Sequence, residues 1–298
     1  MSTEKIVLVA SVYDQADILS DYIEWHLQLG IDLIVVQDCG STDGSQDVLN
    51  RLAATGQVKW LVLPERNMLK YASDVVLATM ARDEYAAEWI IQCDADEFLS
   101  PQGDDLRTIL DNAKNNDFTA LSVPVLSMTG LPLQPRRSAL QTLTLRVDRP
   151  VQEGQQAVLG ELPVPYIFMW HPPKTIIRAA AFVEYGPGTH LAKTAWGQSG
   201  RLPHLQFLHY PIRGFDKLQT KVRNTAAWLR DNPHLQSWAE WGWHWRRWIR
   251  LNQEGRLRED YESQFVSPAR AEELIRDGIC SIDETVSNWI GTREEPLC

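Results

Sequence analysis

The sequence predicts an α/β protein: a mixed, mainly parallel sheet flanked by helices, followed by a helical C-terminal region. Three observations predict it. Apolar, β-branched runs alternate with helix-spaced segments over the first hundred residues, turn residues punctuate each change, and 44% of the 298 residues are apolar, enough for a substantial core.

The elements follow in order. Ile6-Val7-Leu8-Val9-Ala10 suits a strand buried on both faces. Asp17 to Leu29 carries apolar residues at helical spacing, and Gly30 stops it. Leu33 to Val36 is a second strand, and Gly44 to Leu52 a second helix. Val58 to Leu63, Ser73 to Tyr85 and Trp89-Ile90-Ile91 continue as strand, helix, strand. This order implies right-handed crossovers, and such sheets bind ligands at the carboxyl ends of their strands. Asp105 to Leu110 reads as a short helix. Residues 117–213 mix β-rich runs (Leu121 to Leu126, Leu143 to Val147, Thr175 to Ile177) with prolines and glycines. Helices are expected at Asp216 to Leu229, Trp238 to Asn252 and Pro268 to Asp277. The expected division is a regular α/β half over 1–100, a mixed, β-rich half over 101–213 and a helical extension over 214–298.

The net charge of −10, with no long basic run, argues against a protein that grips nucleic acid by electrostatics. Four scattered cysteines without CxxC spacing indicate neither a disulfide framework nor a zinc site, so a reducing cytoplasm is the expected setting. No stretch reaches the roughly 20 apolar residues of a membrane span, and Ile6 to Val12 is too short for a signal peptide. Peripheral contact with the inner face of a membrane stays open.

Four segments follow directly from strands and put carboxylates on one rim: Ser11-Val12-Tyr13-Asp14, Asp38 to Asp43, Pro64 to Asn67 and Cys93-Asp94-Ala95-Asp96-Glu97. Two Asp at i and i+2 past a strand end can share a Mg²⁺ or Mn²⁺, which neutralises a diphosphate leaving group. The competing reading of that pair is a turn or helix cap. Ser41, Thr42 or Asp43 could likewise cap the second helix, whereas Asp38 at its strand tip is suited to a base N–H or ribose hydroxyl.

Taken together, Val9 to Asp14, Asp38 to Gly44 and Cys93 to Leu99 resemble family 2 glycosyltransferases and their relatives with the Rossmann-like GT-A fold. Tyr22 to Gly30 looks like the helix of the branch whose metal motif reads DxDEF. The resemblance implies that Asp14 and Asp38 contact the nucleoside, with Ser11 and Tyr13 beside them and Ala95 within the motif. It implies that Asp94 and Asp96 bind the metal and diphosphate. The chain has Tyr13-Asp14 where the family commonly has Asn-Glu, so Asp38 is the firmer contact. Lys70 and Asp74 occupy positions where relatives face the donor, although a surface salt bridge suits Lys70 nearly as well.

His209, Tyr210, Arg213 and Lys221 match a later pattern of that branch, in which a His completes the cation shell and basic residues offset phosphate charge. A hydrogen-bonded structural role competes for His209, and His171 and His190 are weaker ligand candidates. Resemblance also implies an inverting displacement with a carboxylate base, for which Glu161 and Glu184 are weak candidates. The implied partners are a UDP- or GDP-linked donor and a glycan or lipid-linked acceptor. The cluster Trp238, Trp241, Trp243, Trp245 and Trp248 falls largely on one helical stripe, which favours packing or an oligomer seam over a sugar platform or membrane contact. A sugar-nucleotidyltransferase is the enzymatic rival, but Ser11 to Asp17 lacks the glycines and basic residues it needs. A carbohydrate-binding scaffold is the non-catalytic one.

Overall fold

The computed structural model describes residues 4–62, 70–134, 137–152, 164–186, 189–202, 204–232 and 243–293. The chain packs as two compact units, Met1–Val125 with Pro172–Phe207 and Leu126–His171 with Leu208–Cys298. Residues 126–171 thus group with the C-terminal segment Leu208–Cys298.

The first unit opens with β1 (Lys5–Val12), α1 (Leu19–Gln28), β2 (Leu33–Asp38), α2 (Ser45–Ala53), β3 (Val58–Val62), α3 (Lys70–Asp83) and β4 (Ala87–Gln92). There follow β5 (Glu97–Pro101), α4 (Leu106–Asn115) and β6 (Phe118–Val123). The chain enters the second unit through β7 (Val125–Thr129), α5 (Ala139–Thr142) and β8 (Leu145–Val147). It returns to the first with β9 (Lys174–Arg178), β10 (Phe182–Tyr185), β11 (Ala192–Thr194) and β12 (Gln198–Arg201), and the boundary falls after Phe207 within β13 (Leu205–His209). The second unit resumes with α6 (Phe215–Asp231), α7 (Trp243–Gln253), α8 (Leu257–Glu262), α9 (Pro268–Arg276), β14 (Cys280–Ile282) and α10 (Thr285–Thr292).

The main sheet of the first unit has the order β12-β6-β9-β4-β1-β2-β3. Strands β3, β2, β1 and β4 are parallel, and β9 runs antiparallel to both β4 and β6. This is the mixed, mainly parallel architecture that the sequence predicts. The order reverses direction between β1 and β4, the kind of switch point at which sheets of this type bind ligands. Val7 and Val9 pack with Leu77, Ala78 and Ala81 of α3, while Leu8 and Ala10, equally buried, take the opposite face. Burial of both faces is why these strands read as unbroken apolar runs.

Helix α1 ends where expected, with Gly30 at φ 90° and its N–H donating to Leu27 O. Its buried side chains fix the strand that follows the acidic motif. Trp25 Nε1 donates to Leu99 O at 2.8 Å, and Leu99 N–H donates to His26 Nε2 at 3.1 Å. Because Nε2 accepts, Nδ1 carries the proton and donates to Tyr22 O at 2.7 Å. His26 is therefore a neutral structural pin, and burial pushes its pKa down to about 4.

In the second unit β8 pairs antiparallel with both β7 and β14. Trp248, Leu251, Leu218, Val222 and Tyr166 form a core against which Trp245 packs. The two tryptophans of the stripe that are described at side-chain level therefore serve packing, while Trp238 and Trp241 lie outside the described residues. No described helix is long and apolar enough to cross a membrane.

Candidate functional site

The carboxyl ends of β1, β2 and β4 carry the predicted acidic rim. The loops after β1 and β2 brace each other. Asp14, at φ 50°, accepts from Thr42 N–H at 2.8 Å, and its own N–H donates to Ser41 Oγ at 2.8 Å. Asp43 accepts from Ala16 N–H at 3.0 Å and from Ser45 Oγ at 2.6 Å, while Gln15 N–H donates to Ser45 Oγ at 2.8 Å. The capping role open to Ser41, Thr42 and Asp43 is thus spent largely on tying two loops together.

Asp38 is buried, and its described bonds stay within its own loop and helix. It accepts from Gly40 N–H, Ser41 N–H and Gln46 Nε2 at 3.2, 3.1 and 2.7 Å. Asp74 is also buried, on α3 beneath the rim, and accepts from Ser11 Oγ at 3.2 Å and Gln92 Nε2 at 3.0 Å. It ties β1 to β4 below the surface. Tyr13 is half-buried, and its carbonyl accepts from Gln15 Nε2.

At the end of β4 the segment Asp94 to Glu97 folds into a tight turn. Glu97 N–H donates to Asp94 O at 3.0 Å, and Asp94 N–H donates to Glu97 Oε2 at 2.8 Å. Asp94 is about a third exposed, whereas Ala95, Asp96 and Glu97 are buried. Into this turn projects Lys174, the first residue of β9. Its Nζ lies 2.9 Å from Asp94 Oδ2 and 3.4 Å from Glu97 Oε2, and the side chain is only 3% exposed. The strand direction explains the meeting, because an antiparallel β9 begins where β4 ends. Continuing the register from Ile91↔Ile176 sets Lys174 opposite Cys93.

The electrostatics follow from burial. Desolvation pushes the Glu97 carboxyl up, to about 7, against the pull of Lys174 and with the help of Asp94 and Asp96. Burial alone would strip the Lys174 proton, but Asp94 and Glu97 hold the ammonium above the ordinary lysine range. Tyr22 lies behind the turn with its hydroxyl 3.1 Å from Cys93 Sγ, and burial raises both groups far above their usual values. The thiol is thus an inert packing group.

The remaining predicted residues lie elsewhere. Glu161 and the Lys70 side chain fall outside the described residues. Glu184 is exposed on β10 and pairs with Lys193 at 3.4 Å. His190 belongs to the first unit, and its Nδ1 lies 3.1 Å from Pro173 O, one residue before Lys174. His209, Arg213 and Lys221 belong to the second unit. There the rings of His171 and His209 meet edge to face at 5.2 Å, and Tyr166 packs on His171, His244 and Trp248. Burial, then the charges of His209 and Lys221, push His244 down to about 3. Arg213 Nη1 donates to Tyr210 O at 3.1 Å. Among the described residues, no group of three or more His, Cys, Asp or Glu is placed to hold a metal ion.

Lys174 is the site residue that sequence reasoning missed. Its signal was a lone cation at the head of the apolar run Thr175-Ile176-Ile177, where a buried charge demands a partner.

The model of glycosyltransferase family 92 matches residues 6–157, just over half of the chain. No curated protein matches it. Among solved structures, S. aureus TarS is 11% identical with a TM-score of 0.44, covering 70% of this chain and 37% of that one. TarS residues 1-349 in complex with UDP-GlcNAc is 14% identical with a TM-score of 0.42, over 71% of this chain and 60% of that one. Glucosyl-3-phosphoglycerate synthase from Mycobacterium tuberculosis is 13% identical with a TM-score of 0.36, over 73% of this chain and 75% of that one.

Proposed function

The chain belongs to glycosyltransferase family 92, and from that premise we propose that it transfers a sugar from a UDP- or GDP-linked donor to a glycan or lipid-linked acceptor. The observation that carries this reading is the turn Asp94-Ala95-Asp96-Glu97, set after β4 at the switch point of the strand order, on the same rim as the braced loops of Asp14 and Asp38. The GT-A fold, the kinship to family 2 enzymes with a DxDEF motif and the inverting outcome belong to the same proposal.

Asp94 and Asp96 suit Mg²⁺ or Mn²⁺ as oxygen donors. Because no group of three or more His, Cys, Asp or Glu among the described residues is placed to hold a metal ion, they suit a cation that arrives with the diphosphate better than one caged by protein alone. Such a cation would stabilise the departing nucleoside diphosphate. The chain's own residues orient the donor: the braced loops present Tyr13 and Asp14 to the nucleoside, and the turn presents Asp94 toward the diphosphate. The acceptor hydroxyl gives up its proton to a carboxylate of the variable region. The reading places the enzyme in the cytoplasm.

Incubation with a panel of UDP- and GDP-sugars is expected to release nucleoside diphosphate, faster with Mn²⁺ than with EDTA. Release of pyrophosphate instead, or no turnover of any donor, would sink the reading.

Peripheral membrane contact forms part of the proposal through the groove between α6 and α7. Arg223, Arg230, Arg246 and Arg250 line it around Ala226 and Ile249, with Asp231 3.1 Å from Arg230 and Glu254 3.9 Å from Arg250. In a chain of net charge −10, that concentration of guanidinium groups suits the phosphates of an anionic bilayer. The protein is expected to sediment with phosphatidylglycerol vesicles and not with phosphatidylcholine, and to be released by 0.5 M salt, roughly a Debye length of 4 Å. Equal binding to both vesicles would overturn it.

A further inference from the structure

We propose that the Lys174 ammonium stands in for a resident divalent cation on the acidic turn, so that metal binding at Asp94 and Asp96 becomes conditional on a nucleoside diphosphate arriving with it. This rests on the reading of the rim as the donor site. Asp94, Asp96 and Glu97 place three carboxylates within four residues, a concentration of negative charge that attracts cations. The ammonium at 2.9 Å from Asp94 Oδ2 and 3.4 Å from Glu97 Oε2 lowers that concentration by one charge and engages a carboxylate that would hold the metal.

Lys174 cannot readily swing aside. It heads a strand paired with β4 on one side and β6 on the other, with Val123↔Lys174 in register, and the side chain is 3% exposed. A second cation beside a fixed ammonium is repelled until anionic phosphate oxygens enter and supply both charge and ligands. The same pairing constrains the orientation of Asp94. Lys174 is thus a positioning residue, acting through Asp94 and Glu97.

Titration of Mn²⁺ followed by its electron paramagnetic resonance signal tests this without turnover. Nucleotide-free wild-type protein is expected to bind Mn²⁺ weakly, and UDP or GDP to tighten the binding. Lys174→Met is expected to bind Mn²⁺ about tenfold tighter without nucleotide, a gain that structural damage would not produce. Lys174→Arg, which keeps the charge, is expected to stay weak. Because Lys174→Met leaves Glu97 buried without its cation, the double variant Lys174→Met/Glu97→Gln removes the pair as a unit and is expected to show the same gain.

Wild-type protein that binds Mn²⁺ equally well with and without nucleotide overturns the proposal, whether or not the variants fold. Variants that bind no tighter than wild type also overturn it, with the donor reading left standing if UDP or GDP still binds. Failure of the wild-type protein to bind either nucleotide, with or without Mn²⁺, would instead remove the donor-site reading itself.

Discussion

Asp96→Ala is expected to lower nucleotide-sugar turnover by about 10³-fold, the loss typical when one preorganised electrostatic contact to a developing charge is removed. The residue sits in the turn after β4, and its charge bears on Glu97. The substitution removes one of three neighbouring carboxylates, so repulsion within the turn falls and the fold should survive. Turnover measured by nucleoside diphosphate release, alongside a melting curve, separates the two effects. The expected pattern is a large loss of kcat with little change in Tm. An Asp96→Ala protein that kept more than about a tenth of wild-type turnover would remove Asp96 from the cation and diphosphate chemistry.

The second large effect concerns stability and its dependence on pH. His26 is fully buried, bonded at both ring nitrogens, and held neutral with a pKa lowered to about 4. Unfolded, the same imidazole titrates near 6.5. A base whose folded pKa is depressed contributes stability in full above the unfolded value. As pH falls from about 6.5 to about 4 the unfolded chain takes up the proton first, and roughly 3 kcal/mol is lost. Replacing His26 with Gln removes this term. Urea unfolding of the two proteins is expected to show the variant less stable by about 3 kcal/mol at pH 7, from lost buried hydrogen bonds. The gap should shrink toward zero near pH 4. A gap that stayed constant across that range would mean that His26 is not the group being protonated.

Much of the first unit was legible because its strands are buried on both faces. Ile6 to Ala10, Leu33 to Val36 and Trp89 to Ile91 can satisfy their apolar side chains only inside a covered sheet, and the helices between them show the matching stripe. The short strands Ala192–Thr194 and Gln198–Arg201 carry no such pattern, since they are exposed or half-exposed along their length, and they were not anticipated. The strand Glu97–Pro101 was hidden by the motif that begins it. The grouping of residues 126–171 with the C-terminal helices depends on pairings such as Leu145↔Ile282, across a sequence distance that no local signal spans.

At the candidate site the order of the acidic segments was readable, but the company each keeps was not. Asp38 and Asp74 turned out to be engaged by Gly40, Gln46, Ser11 and Gln92, partners that only the folded chain brings within reach. The helix that apolar spacing predicts over Asp17 to Leu29 acquires a mechanical reason for its Tyr22 to Gly30 pattern in the bonds from Trp25 and His26 to Leu99.

The reversed strand β9 has a further consequence. The polypeptide leaves the sheet after β6, builds part of another unit from residues 126–171, and re-enters at the very residue that meets Asp94. Insertions or deletions in that excursion change its length without shifting where Lys174 stands, because its neighbours in the sheet dictate its position. The part of the molecule outside the sheet is therefore free to diversify while the acidic turn and its counter-ion stay in step.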